Sequence, residues 1–152
     1  MNINVPKNLW VGIGCKRGSS EELLHWAAVQ FLEKYGLKKA AIAGFATINR
    51  RARELGLISL AAKWNLPLMA IPAEILAQIP VSDPSEQVAK IVGTPSVAEA
   101  GAIAAAIISQ GYFPALFTGT FPKLFPKQIY KLPDQPGMAT VAIAQASQST
   151  GA

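Results

Sequence analysis

Lys16 and Arg17 stand between Gly14 and Gly18 in the run Val-Gly-Ile-Gly-Cys-Lys-Arg-Gly-Ser-Ser, residues 11–20, a pattern suited to capturing an anion. Glycines at 12, 14 and 18 permit tight turns and close backbone approach, so that N–H groups can face a phosphate or carboxylate. The two cations add charge. Ser19-Ser20-Glu21-Glu22 has the form of a capping box, and the N-terminus of the helix it opens would also favour an anion. Gly14, Cys15, Lys16, Arg17, Gly18 and Ser19 are therefore the expected substrate-binding loop. A glycine turn between a first strand and a first helix also arises for structural reasons alone, and both readings stand at this point.

Two sharper nucleotide readings are excluded by spacing. The glycines follow G-x-G-x-x-x-G, one residue longer than the dinucleotide fingerprint, and the segment Ala40 to Gly44 ends in no acidic residue to hold a ribose. Lys16 precedes the last glycine and no Gly-Lys-Ser/Thr follows, so the loop is not a Walker A loop.

Further candidates lie at the turns expected to face the same ligand. Thr47 could offer a hydroxyl to the site, while Asn49 reads as the cap of a second helix. Arg50, Arg51 and Arg53 open that helix, where cations oppose the dipole, a local cost that points to a ligand or a solvated face. Thr94-Pro95 caps another helix, which places Thr94 and Ser96 at an N-terminus as substrate-binding candidates and Glu99 one turn in as the candidate catalytic carboxylate. Acidic residues are common in first turns for the dipole alone, so Glu99 also has a bland reading. Cys15, beside two cations, could have a lowered pKa or be a small packed residue. No His-Asp arrangement makes Ser96 a nucleophile, and His25, the single histidine, has no metal-ligand partner. No metal and no cofactor are expected.

The elements that position these residues read as alternating strands and helices. Strands are expected at Leu9–Ile13, Lys39–Ala43, Leu68–Ile71 and Ala139–Ala144, and helices at Glu21–Tyr35, 50–64, a short segment after Asp83, and 96–109. Residues 112–137 carry five prolines among aromatics, which predicts an extended surface excursion with a short strand near Gln128–Leu132. Its aromatics would cover the core, a flat ring or a partner. Alternation of this kind implies an α/β fold: a three-layer α/β/α sandwich with a mostly parallel sheet. One domain over 1–152 is expected, with a core of about 8–144 and a frayed tail at 145–152.

Composition narrows the class. The chain has 152 residues, 51% of them apolar, which excludes global disorder. Its apolar runs are too short for a bilayer span, no secretory leader is recognisable, and one cysteine forms no internal disulfide, so a cytoplasmic protein without membrane contact is expected. Of the net charge of +5, the excess lies in residues 1–63, with ten Lys/Arg against four Asp/Glu. The cations flank loops instead of forming a stripe, which argues against nucleic acid.

Gly12 to Ser20, Ala46-Thr47-Ile48, the block Gly93-Thr-Pro-Ser-Val-Ala-Glu-Ala100 and Ala139 to Ala144 together, and in this order, resemble one family of cobalamin biosynthesis. That family is CobE with the C-terminal domain of CbiG, and the resemblance covers about residues 8–144. The chain departs from it in three places: Lys16 stands where the family's loop carries arginine, the stretch at 112–127 is longer before the lysine-bearing strand that Lys131 matches, and nothing corresponds to the N-terminal region of CbiG.

The resemblance implies a role in corrin-ring assembly, where CbiG-type proteins open a δ-lactone and release a two-carbon aldehyde. It implies a polycarboxylate precorrin-type intermediate as ligand and other corrin-pathway enzymes as partners. Glycine-loop N–H groups with Lys and Arg suit the acetate and propionate arms of such a ring. Whether the chain hydrolyses the lactone or binds and hands on an intermediate stays open. The alternative is a generic regulatory domain that binds anions or phosphometabolites.

Overall fold

The computed structural model describes residues 5–79 and 97–146. Five strands form one sheet: β1 (Leu9–Cys15), β2 (Ile42–Ile48), β3 (Leu68–Ile71), β4 (Lys123–Tyr130) and β5 (Ala139–Gln145), in the order β3-β2-β1-β5-β4. The helices are α1 (Glu21–Tyr35), α2 (Leu55–Lys63), α3 (Ala73–Leu76) and α4 (Val97–Ser109). Strands β1, β2 and β3 are mutually parallel, as the alternation of elements requires, whereas β5 inserts antiparallel between β1 and β4.

Helices cover both faces. Leu9, Val11 and Ile13 point to the core beneath α1 and α2, with Phe31, Phe45, Leu57 and Leu60, while Trp10 points to the other core, with Ile103 and Ile107 of α4. That is the period-two alternation of a strand buried on two sides. Phe31 is fully buried, and its truncation to alanine would cost about 3–5 kcal/mol. The alanine-rich α4 reaches the sheet backbone at Gly12: a Cβ there would strike the Ala98 carbonyl oxygen and lie 2.8 Å from Ala102 N. Gly12 therefore sets how closely α4 docks.

Local signals explain the helix limits. Leu23 N–H donates to Ser20 Oγ at 3.0 Å, Glu21 and Glu22 occupy the first turn of α1, and Gly36 ends it with a left-handed φ of 64°. The cap is Ser20, not Ser19, because the Ser19 side chain turns inward. Trp64 Nε1–H donates to His25 Nδ1 at 3.1 Å and Lys63 pairs with Glu21 at 2.7 Å, which ties α2 to α1. His25 is an exposed brace.

Three expectations need correction. The second strand begins at Ile42 and runs to Ile48; Lys39–Ala41 is a 3₁₀ turn, and Gly44 is inside the strand because the Trp10 ring fills the space a Cβ would take. Asn49 does not cap α2: Asn49–Arg51 is a separate 3₁₀ turn, and α2 starts six residues later behind Glu54. The strand in the proline-rich segment is longer and earlier than Gln128–Leu132, spanning Lys123–Tyr130. Pro126 is accommodated because β4 is an edge strand with an irregularity between Phe125 and Gln128. The short helix expected after Asp83 lies outside the described residues.

Candidate functional site

One end of the sheet gathers the chemistry. The C-terminal ends of β1, β2, β3 and β4 meet the start of β5 there, since Cys15 pairs with Ala139 and Ala139 with Tyr130. α1 and α2 lie on one face and α4 on the other, so this end contains the point beside β1 where the chain changes face, the usual location for ligands of open α/β sheets. A cleft of about 250 Å³ opens there, lined by Gly14, Cys15, Lys16, Ile48, Arg50, Arg51, Val97, Ala98, Met138 and Thr140.

The glycine loop is more closed than its sequence suggests. Lys16 N–H donates to Met138 O, Ser19 N–H to Lys16 O and Ser20 N–H to Pro136 O. Gly18, at φ 79°, donates its N–H to Glu54 Oε1 at 2.8 Å. The expectation that these groups face a bound anion is therefore corrected: a carboxylate from 36 residues away already occupies the Gly18 position. What remains for a ligand is side-chain charge. Lys16 and Arg50 are exposed at the cleft and have no carboxylate partner among the described residues. Arg51 is half-buried, and its Nε–H donates to Cys15 O at 3.0 Å, which fixes the guanidinium against the loop.

The other candidates separate. Arg17 and Gly18 are exposed on the loop but do not line the cleft. Ser19 is buried; its Oγ–H donates to Lys16 O at 2.7 Å and its oxygen accepts Met138 N–H at 3.2 Å, clamping the loop to the entry of β5. Thr47 is fully buried and donates its hydroxyl to Ile13 O at 2.7 Å, between β2 and β1, so it faces a strand and not a ligand. Glu99 is also buried, and its Oε2 accepts Lys127 N–H at 3.0 Å from the irregular part of β4. That direction leads away from the cleft, which Val97 and Ala98 line instead. Thr94 and Ser96 lie outside the described residues.

Burial pushes the Cys15 thiol up to about 11, with Glu54 adding to the rise and Arg51 opposing it. The expectation of a lowered pKa is corrected: Cys15 is a protonated thiol at neutral pH and a poor nucleophile. No cluster of His, Cys, Asp or Glu able to hold a metal occurs among the described residues, and no helix there is long and apolar enough to cross a membrane.

Met138, Thr140 and Glu54 were missed by sequence reasoning. The first two arrive through the antiparallel β1–β5 pairing, which no local pattern announces. Glu54 had a faint signal, as the lone acid after three arginines. The aromatics Tyr112, Phe113 and Phe121 follow the far end of α4 and precede the far end of β4, so they do not cover the cleft.

The family model described as cobalamin synthesis G C-terminus matches residues 9–144. The chain belongs to this cobalamin synthesis G C-terminus family. Solved structures of cobalamin biosynthesis proteins have a similar fold. CobE, a protein from the cobalamin (vitamin B12) biosynthetic pathway, superposes with a TM-score of 0.69 at 26% identity over 98% of this chain and 97% of its own. The cobalamin biosynthesis protein chiG from Agrobacterium tumefaciens str. C58 gives 0.62 at 26% identity, over 92% and 99%. A cobalt-precorrin-5A hydrolase of Priestia megaterium is 28% identical over 98 residues, which are 64% of this chain and 26% of that protein. This G C-terminus chain thus matches about a quarter of the hydrolase's length.

Proposed function

We propose that this family member binds a polycarboxylate precorrin-type intermediate in the cleft between the ends of β1, β2 and β5, and takes part in opening its δ-lactone. The carrying observation is a pair of exposed cations without carboxylate partners among the described residues, Lys16 and Arg50, beside apolar walls from Ile48, Val97 and Met138. Cations grip acetate or propionate arms, and the apolar wall accepts the ring body.

In this reading the nucleophile is water. Cys15 is protonated, and Thr47 and Ser19 have their hydroxyls engaged by backbone. Water adds to the lactone acyl carbon, the acyl carbon–oxygen bond breaks, and a carboxylate, a proton and a hydroxyl result. The carbinol O–H then gives up its proton, the C=O of the two-carbon aldehyde forms as the carbon–carbon bond breaks, and the electron pair of that bond passes to the ring. The chain's own part is to bind and orient the ring. Family membership in cobalamin biosynthesis, and a hydrolase of cobalt-precorrin-5A among its relatives, support this reading.

The test is a titration of the purified chain with corrinoid and porphyrin carboxylates, followed by quenching of Trp10, Trp26 and Trp64, with phosphate and nucleotides as controls. Saturable, tetrapyrrole-selective quenching is expected. Equal or tighter binding of phosphate or nucleotide would overturn the proposal in favour of a general anion-binding domain.

A further inference from the structure

The central cleft does not stand alone. A second cleft of about 440 Å³ is lined by Ile48, Asn49, Arg50, Arg53 and Ala73, beside the ends of β2 and β3. A third, of about 600 Å³, is lined by Lys16, Lys131, Leu132, Pro133, Gln135 and Gly137, beside the ends of β1 and β4. Ile48 and Arg50 are shared by the first and second, and Lys16 by the first and third. The three therefore form one arc across the full width of the sheet. Four inter-strand spacings of about 4.8 Å make that width ~19 Å.

Charge is distributed along the arc at intervals. Arg53 stands in one outer cleft and Lys131 in the other, both exposed and without a carboxylate partner among the described residues. Between them Lys16, Arg50 and the half-buried Arg51 alternate with apolar wall from Ala73, Ile48, Met138 and Leu132. A flat apolar body with anionic arms at its rim can meet each outer cation while its body rests on the apolar residues of the central cleft. The backbone N–H groups of Lys16, Gly18, Ser19 and Ser20 are already engaged, which leaves the contacts to the arms mainly to side chains.

We infer that Arg53 and Lys131 are specificity-determining arms of this site, each taking a separate peripheral carboxylate of a ligand whose body rests over the central cleft. The inference rests on the binding role proposed above and adds the number and place of the anionic contacts. It selects for ligands by how many carboxylates they carry on opposite edges.

The experiment titrates the full chain with octacarboxylate, tetracarboxylate and dicarboxylate porphyrins, before and after Arg53→Gln, Lys131→Gln and the double change. Lys34→Gln, at the far end of α1, is the charge control. Affinity is expected to rise with carboxylate number, by about fivefold for each outer cleft engaged. R53Q and K131Q should each remove about fivefold from octacarboxylate binding, and the double variant both increments, reducing the ratio of octacarboxylate to dicarboxylate affinity accordingly. K34Q should leave that ratio unchanged. Affinity independent of carboxylate number, or losses in R53Q and K131Q no larger than in K34Q, would overturn the inference while leaving tetrapyrrole binding at the central cleft in place. Absence of binding by all three porphyrins would overturn both.

Discussion

The carboxylate of Glu54 accepts the backbone N–H of Gly18 at 2.8 Å, joining the residue ahead of α2 to the turn of the glycine loop. This contact supplies from within the chain the anion that the loop's sequence invites. Replacing Glu54 with alanine should open the contact, and the Gly18 amide should exchange with solvent about five- to tenfold faster, the equivalent of ~1–1.5 kcal/mol. Amide exchange followed by NMR measures it; an unchanged rate would mean that the contact contributes nothing to loop closure.

Cys15 gives a pH signature. Its thiol is raised from the ordinary 9.0 to about 11 in the folded protein, so the unfolded chain loses this proton first as pH rises. The associated stability is fully present below about 9 and is lost as pH climbs to about 11. Denaturant unfolding at a series of pH values should show this fall in the parent chain and a smaller one in C15A. Alkylation of the folded protein at neutral pH should be slow, and E54Q should speed it, because Glu54 helps to keep the thiol protonated.

Glu99 separates a structural role from a chemical one. Its buried carboxylate holds the Lys127 N–H where β4 loses regular pairing. E99A should cost ~2 kcal/mol, lowering the thermal midpoint by about 4–8 °C, with octacarboxylate porphyrin affinity at the wild-type value below the transition. An affinity loss in a folded E99A protein would return Glu99 to the site.

Gly12 tests the docking of α4. Alanine at 12 must displace the Ala98 carbonyl, because backbone rather than a flexible side chain occupies the space. A loss of about 3 kcal/mol is expected, read by chemical denaturation. Since Ala98 lines the cleft, ligand affinity should fall as well.

The sequence made the layers of this molecule legible wherever a signal was local. The Ser19–Glu22 box, to within one residue, with Gly36, Asn65 and the alternation of Leu9 to Ile13, places α1, the end of α2 and β1 without reference to distant residues. Lys16 could be assigned to the site because ligands gather where parallel strands end, whereas Arg50 and Arg51 read equally as ligand contacts or a solvated face. What could not be read was pairing. Nothing in Ala139–Gln145 says that it runs antiparallel beside β1, and so nothing brought Met138 and Thr140 to the cleft. Nor could hydroxyl orientation be read: Thr47 and Ser19 carry suitable groups, but the backbone acceptors that claim them become visible only when the strands are assembled.

The position of β5 has a consequence for how the molecule comes into being. Strand β1 finds one neighbour in the next strand of the chain, β2, but its other neighbour is encoded more than a hundred residues later. Until residue 145 has emerged, β1 has an open flank, β4 has no partner in the sheet, and the floor of the cleft is missing. Pairing at such sequence separation is slow, because chain entropy must be lost before contacts compensate. A ribosome-bound chain stalled before β5 would thus lack the side of the central cleft that Met138 and Thr140 supply, and that cleft would be completed in one late step with the closing of the sheet.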